Sequence, residues 1–256
     1  MSLPAERLLK VAAPVVVGLL LLATWQLLVG VLGVAPSTVP SPAAIAQQLV
    51  ANAGSIVEQS WITGGNALIG LLVGSLLAIA LAGLAARFAP VSGMVAPIVA
   101  AIAVVPIVSL TPILNTMLGA SSQSGRQLIA AIAAFVPVFV NVLRGLRQTR
   151  PVHRDLFLAS AATGAQTFRK LTLPTALPHL MTGLRIASSV AVISALVAEY
   201  FGGPADGIGT AIAATAKTGR AALAWGYVAA AIAIGLAFFL VTLLLERVVS
   251  RHRPPG

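Results

Sequence analysis

No cysteine occurs in the 256 residues, which excludes a disulfide framework and any thiolate metal site. Charge is nearly as scarce. Only 9% of residues are Asp, Glu, Lys or Arg, against about 25% in soluble domains. With 58% of the chain hydrophobic, this is a polytopic membrane protein. Catalytic signatures are missing too: there is no Gly-x-Ser-x-Gly, no His-Glu-x-x-His and no pair of carboxylates placed for acid–base work. His153, His179 and His252 are scattered without metal-ligand spacing. The Gly-rich run at 202–209 lacks the Lys-Ser/Thr that completes a phosphate loop. An intramembrane enzyme therefore has no residues to work with, and no cofactor is expected on this chain.

What the chain has is apolar length. A membrane helix needs about 20 such residues, and six runs qualify: 11–34, 61–86, 92–118, 126–148, 181–202 and 222–248. The first follows Arg7 and Lys10 like a signal peptide, but exceeds the h-region of about 7–15 residues, so it reads as a span. The Pro-rich stretch 35–42 comes next, and Ser41-Pro42 forms a helix start, a capping serine followed by proline at the first helical position. That helix, with Ile45 and Leu49 on one side, is expected to lie along the membrane surface.

The net charge of +10 fits loop asymmetry rather than nucleic acid. Six spans leave both termini on one side. That side receives 13 of the 16 Lys and Arg, and the other receives Arg126, Lys217 and Arg220. Basic residues mark the cytoplasmic face, so both termini are expected there, with Arg247, Arg251, His252 and Arg253 meeting anionic headgroups.

Gly70 and Gly74 provide a Gly-xxx-Gly face for close helix packing, expected within the subunit. Pro97, Pro106 and Pro112 should kink or interrupt the third span. Ser109, Thr111, Asn115 and Thr116 nearby either satisfy the backbone freed by those prolines or border a substrate path. The fifth span carries Ser188, Ser189, Ser194 and Glu199. Glu199 is a functional candidate as an intramembrane acid, or it pairs at the interface with Arg126, Lys217 or Arg220.

The segment 149–180 cannot be lipid-buried. Arg150, Arg154, Asp155, Arg169 and Lys170 would together cost on the order of 15 kcal/mol, at roughly 3 kcal/mol per charge. It therefore lies in water as a cytoplasmic loop with helix of its own, a docking surface for a cytoplasmic partner.

The loop resembles the coupling segment in transmembrane permease subunits of binding-protein-dependent ABC importers, of the nitrate/sulfonate/taurine type. Those proteins carry Glu-Ala-Ala…Gly…Leu-Pro. Here the ungapped match on Gln166-Thr-Phe-Arg-Lys-Leu-Thr-Leu-Pro174 puts Asp155 on the motif's Glu and Ala161 on its Gly, with Leu156 and Phe157 replacing the Ala pair. Val39-Pro-Ser-Pro42, the Pro97…Pro106…Pro112 spacing, Ala176-Leu-Pro178…Gly183-Leu-Arg185 and Ala198-Glu-Tyr-Phe-Gly-Gly203 with Gly207-Ile-Gly209 extend the likeness along nearly the whole chain.

The resemblance implies an all-α, type I importer permease of about six transmembrane helices, one domain over 1–256, in a bacterial inner membrane. It implies a coupling helix at about Asp155 to Phe168, whose ATPase-facing residues are Asp155, Leu156, Phe157, Leu158, Ala161, Gly164, Phe168 and Pro174. The expected partners are two copies of an ATP-binding subunit that holds ATP and Mg, a second permease subunit (identical or homologous), a solute-binding protein and the lipid bilayer, with no nucleic acid. The degenerate motif suggests a non-identical permease pair. Asn115, Ser188, Ser194 and Glu199 are expected along the path. The branch handles small polar solutes, including sulfonates, taurine, nitrate, bicarbonate and pyrimidine precursors of thiamine. An ion-coupled secondary transporter or channel subunit is the alternative, and it would need ionisable groups at the midplane.

Overall fold

The computed structural model describes residues 4–33, 35 and 38–250; Arg251, His252 and Arg253 lie outside them. The described residues form helices and connecting turns, with no strand among them. In chain order they are α1 (Pro4–Val31), α2 (Pro42–Ala51), α3 (Ala53–Arg87), α4 (Ala89–Val104), a 3-10 turn (Ile107–Leu110), α5 (Thr111–Leu118), α6 (Ser124–Arg147), α7 (Pro151–Ala159), α8 (Gly164–Thr167), a π turn (Phe168–Thr172), α9 (Leu173–Phe201), α10 (Ile208–Lys217) and α11 (Ala221–Ser250). Five stretches are long and apolar enough to cross a membrane: Ala12–Val31, α3, α6, Gly164–Phe201 and Ala221–Val249. α4 is a shorter apolar helix.

Several expected boundaries move. The third span is not one helix over 92–118. It breaks after Val104, where Pro106 has no N–H to donate, and α5 restarts with Pro112 in its first turn. The second span begins earlier, because α3 starts directly after Asn52 and runs 35 residues. The helix predicted from Ser41-Pro42 is present: Ser41 Oγ accepts from Ala44 N at 3.2 Å, with proline at the helix start.

The core is a three-helix stack of α3, α6 and α9, built on small residues. Ala67, Ala78, Ala130, Ala134, Ala187, Ala191 and Ala195 are buried where the helices meet. A Cβ on Gly70 would run into Ala130, and one on Gly74 into the Ala131 backbone. The Gly-xxx-Gly face thus packs α3 on α6 within the subunit, drawing the backbones close enough for dispersion contacts to hold them without help from water. Gly145 and Gly183 do the same for α6 against α9, facing Ala176 and Val138.

α11 lies against α9. Ser188 Oγ and Thr242 Oγ1 meet at 3.2 Å, and Arg185 pairs with Glu246 at 3.0 Å. A second cluster of Ile56, Ile208, Leu223 and Tyr227 fastens α10 and the start of α11 to α3. α1 touches the rest near its C-terminal end, where Trp25 meets Trp225 edge-on and Gln26 accepts from Ala43 N. Leu19, Leu20, Leu21 and Leu22 are exposed, as suits contact with lipid.

Candidate functional site

The bundle has two distinct ends. At one end, the chain leaves α6 through Arg147, whose guanidinium donates to Ala85 O at 3.1 Å and Ser92 Oγ at 2.6 Å. It then enters α7. Pro151 opens this helix after the extended Arg150, as proline does at a first helical position. The expected helix from Asp155 to Phe168 is therefore corrected. It runs Pro151–Ala159, and Phe168 lies on the following helix, across a sharp turn.

The turn has a defined chemistry. Ala162 N donates to Phe157 O at 3.0 Å and Ala161 N to Leu158 O at 3.0 Å, the paired bonds of a Schellman termination. That motif places its C′ residue in the left-handed region, and Ala161 has φ +52. A glycine would sit there without penalty, and an alanine is held there against its preference. Thr163 then caps the next helix: Thr163 Oγ1 accepts from Gln166 N at 3.3 Å, and Gln166 Oε1 accepts from Thr163 N at 2.8 Å. This is a complete capping box. From Gly164 the helix continues through the π turn and Pro174 without a break to Phe201.

α7 buries none of its residues. Val152, Leu156 and Leu158 are 74%, 63% and 68% exposed, and only Phe157 is half-buried. Asp155, Ala161 and Gly164 are exposed, as is Phe168, and Pro174 is half-buried. The expected docking residues are thus gathered at one end of the bundle, on a short helix and the turn after it.

At the opposite end lies a buried polar network that sequence reasoning largely missed. Glu199, 1% exposed, closes α9. Its Oε2 accepts from Thr63 Oγ1 at 2.7 Å and Gly209 N at 3.0 Å, and its Oε1 from Asn66 Nδ2 at 3.4 Å. Thr63 Oγ1 in turn accepts from Ile208 N at 2.8 Å, and Gln59 Oε1 from Gly207 N at 2.5 Å. The first amides of α10 are therefore satisfied by α3 and by a carboxylate, which the helix N-terminus favours. Gly207 has φ +83, and a Cβ there would collide with the Glu199 carboxylate.

Arg126, at the start of α6, completes the network. It binds Asp206 at 2.6 Å and donates to Gln123 Oε1 at 3.0 Å and Pro204 O at 2.5 Å. Gln123 holds Asp206 as well, at 2.8 Å. The partner of Arg126 is therefore Asp206, while Glu199 is satisfied by neutral donors. The missed signal was spacing: Gln59, Thr63 and Asn66 recur at one helical face of α3, opposite Gln123 at the N-cap of α6 and Arg126 and Gln127 in its first turn, Gln127 donating to Asn66 Oδ1 at 3.1 Å.

The four expected path residues are divided by the structure. Ser188 is buried between α9 and α11 and donates to Arg185 O at 2.8 Å. Glu199 sits in the network just described. Ser194 is buried on α9. Asn115 is buried on α5 against Gly125 of α6, and its Oδ1 has no hydrogen-bond partner.

Residues 70–253 match the family described as binding-protein-dependent transport system inner membrane component. The chain is 31% identical over 202 residues to the formylaminopyrimidine transport permease protein ThiX of Halalkalibacterium halodurans, covering 77% of this chain and 78% of that one. It is 28% identical over 235 residues to the riboflavin transport system permease protein RibX of Chloroflexus aurantiacus, with 91% and 87% covered. Against the putative aliphatic sulfonates transport permease protein SsuC of Bacillus subtilis, identity is 28% over 193 residues, covering 74% and 68%.

Proposed function

The chain belongs to the family of inner-membrane components of binding-protein-dependent transport systems, and from that premise we propose that it forms the solute path of an ATP-driven importer and couples it to a separate ATP-binding subunit through α7. It is a multi-pass ABC transporter permease. The observation that carries the coupling role is α7 itself. Isolated helices shorter than about 12–15 residues are marginal in water, and this one has nine residues and buries none of them. Val152 and Leu156, 74% and 63% exposed, need a cover, and an ATP-binding subunit supplies it. ATP draws two such subunits together, each carries its α7 along, and the permease pair opens toward a loaded solute-binding protein. ATP and Mg belong to the ATP-binding subunits, and both termini of this chain face the same cytoplasm as α7. The second permease is a copy or a homologue of this chain.

The solute is small and polar, of the class spanned by the relatives' names. The path is assigned to the α5–α6–α9 side, past Ser194 and Asn115, whose amide oxygen has no partner inside the subunit. A loaded receptor and ATP drive the cycle only because each binds the outward state more tightly than the inward one.

The deciding experiment is solute uptake by cells or vesicles carrying the whole system. Uptake should persist when proton and sodium gradients are collapsed and stop when ATP is depleted. The opposite pattern identifies an ion-coupled carrier. In the same assay, Leu156→Glu should abolish uptake while the protein stays in the membrane at normal abundance. Retention of the ATP-binding subunit on purification of that variant would remove α7 from the coupling role.

A further inference from the structure

Beneath α7 a groove of about 540 Å³ opens between α3, α6 and α9, within the range of about 300–1,000 Å³ typical of small-molecule sites. Its wall is mainly apolar: Ile79, Gly83, Val142, Leu146, Leu177 and Leu180 line it, with the hydroxyls of Thr149, Thr167 and Thr172 beside them, and the six apolar positions all lie on stretches long and apolar enough to cross the bilayer. Two guanidinium groups, Arg87 and Arg154, border the same groove. Both are exposed, and among the described residues neither has a carboxylate partner. The ion pairs among the described residues are Arg126–Asp206 and Arg185–Glu246. Arg87 rests over the Phe88 ring, 5.3 Å from its centroid.

An apolar slot bordered by uncompensated cations is complementary to an amphiphile with one anionic head. The threonine hydroxyls and guanidinium groups offer donors to a headgroup, and the aliphatic part of the wall takes a hydrocarbon chain at no polar cost. Basic pockets between membrane helices take acidic headgroups in the same way. We propose that the groove is a binding site for an anionic phospholipid, with one acyl chain along the α3–α6–α9 wall and the phosphate between Arg87 and Arg154. Leu158 of α7 also borders the groove, so the lipid packs against the inner side of a helix that buries nothing of its own. Lipid composition then sets how firmly α7 is held.

Gly83 provides a specific test, because a Cβ there meets nothing within 4 Å. Gly83→Leu fills the groove with both arginines intact. Native mass spectrometry of the full-length chain, titrated with phosphatidylglycerol or phosphatidylcholine, reads the site. Phosphatidylglycerol should be retained in preference to phosphatidylcholine. R87Q and R154Q should each weaken its binding about fivefold, and the double variant about thirtyfold, at about 1 kcal/mol per basic residue. G83L should abolish the selective retention. Equal retention of phosphatidylcholine, wild-type binding by the double arginine variant, or selective binding that survives G83L would each overturn the proposal. So would equally tight binding of soluble glycerol phosphate, which would make the headgroup sufficient. The arginine substitutions are on exposed side chains, so they decide the matter even if G83L fails to fold.

Discussion

Thr63 and Ala161 show how much a single side chain decides in a chain with so little polarity. Thr63 Oγ1 donates to Glu199 and accepts from Ile208 N, joining three helices through one hydroxyl. Thr63→Val keeps the volume, removes both bonds and leaves a buried carboxylate and a buried amide short of a partner. The expected loss is about 2 kcal/mol, read as a lower thermal midpoint of the detergent-purified chain. Ala161 is the opposite case, since it holds a left-handed conformation at φ +52. Ala161→Gly should relieve about 1 kcal/mol, so the amides of Ala161 and Ala162 should exchange about fivefold more slowly. Neither role was legible beforehand. A lone threonine in a span reads as satisfying its own backbone. The alignment put Ala161 on the family's turn glycine, but with an alanine at that position the helix was expected to run on to Phe168.

The helices themselves were more readable, because lipid imposes their length. The runs at 11–34, 126–148 and 222–248 lie within a few residues of Pro4–Val31, Ser124–Arg147 and Ala221–Ser250, apart from the earlier start of α1. Pro106 announced the broken third span by removing a donor. By contrast, α10 (Ile208–Lys217) was not foreseen, since ten residues, mostly Ala, Thr and Ile, carry no span signal and its first amides are satisfied by distant α3 and by Glu199. Helix packing followed the small residues. Gly74 faces the Ala131 backbone, whereas Gly83 faces open space. Gly74→Ala should therefore cost about 1–3 kcal/mol through overpacking, while Gly83→Ala should leave the melting temperature unchanged. Equal effects at the two positions would mean that α3 and α6 are not held by this close approach.

At the scale of the whole molecule, the absence of cysteine becomes an experimental advantage, because any introduced thiol is the single reactive one. The 13-to-3 split of basic residues predicts sidedness. Gln166→Cys should react with a membrane-impermeant maleimide only after the cells are opened, and Lys217→Cys should react in intact cells. Reversed labelling would invert the topology. The two ends so defined are joined by one continuous helical stretch, Gly164–Phe201, of 38 residues. At about 1.5 Å per residue it is about 57 Å long, nearly twice the hydrocarbon thickness of about 30 Å. Its first turn carries the capping box and its last turn carries Glu199. Its π turn, Pro174 and Pro178 are the points at which such a shaft bends; beyond them it is straight enough that a tilt imposed at one extremity reappears as the same angle at the other. Phase matters as much as length: one extra residue near Ile186 would turn the two extremities about 100° out of step, whereas a whole added turn of helix would bring them nearly back into line.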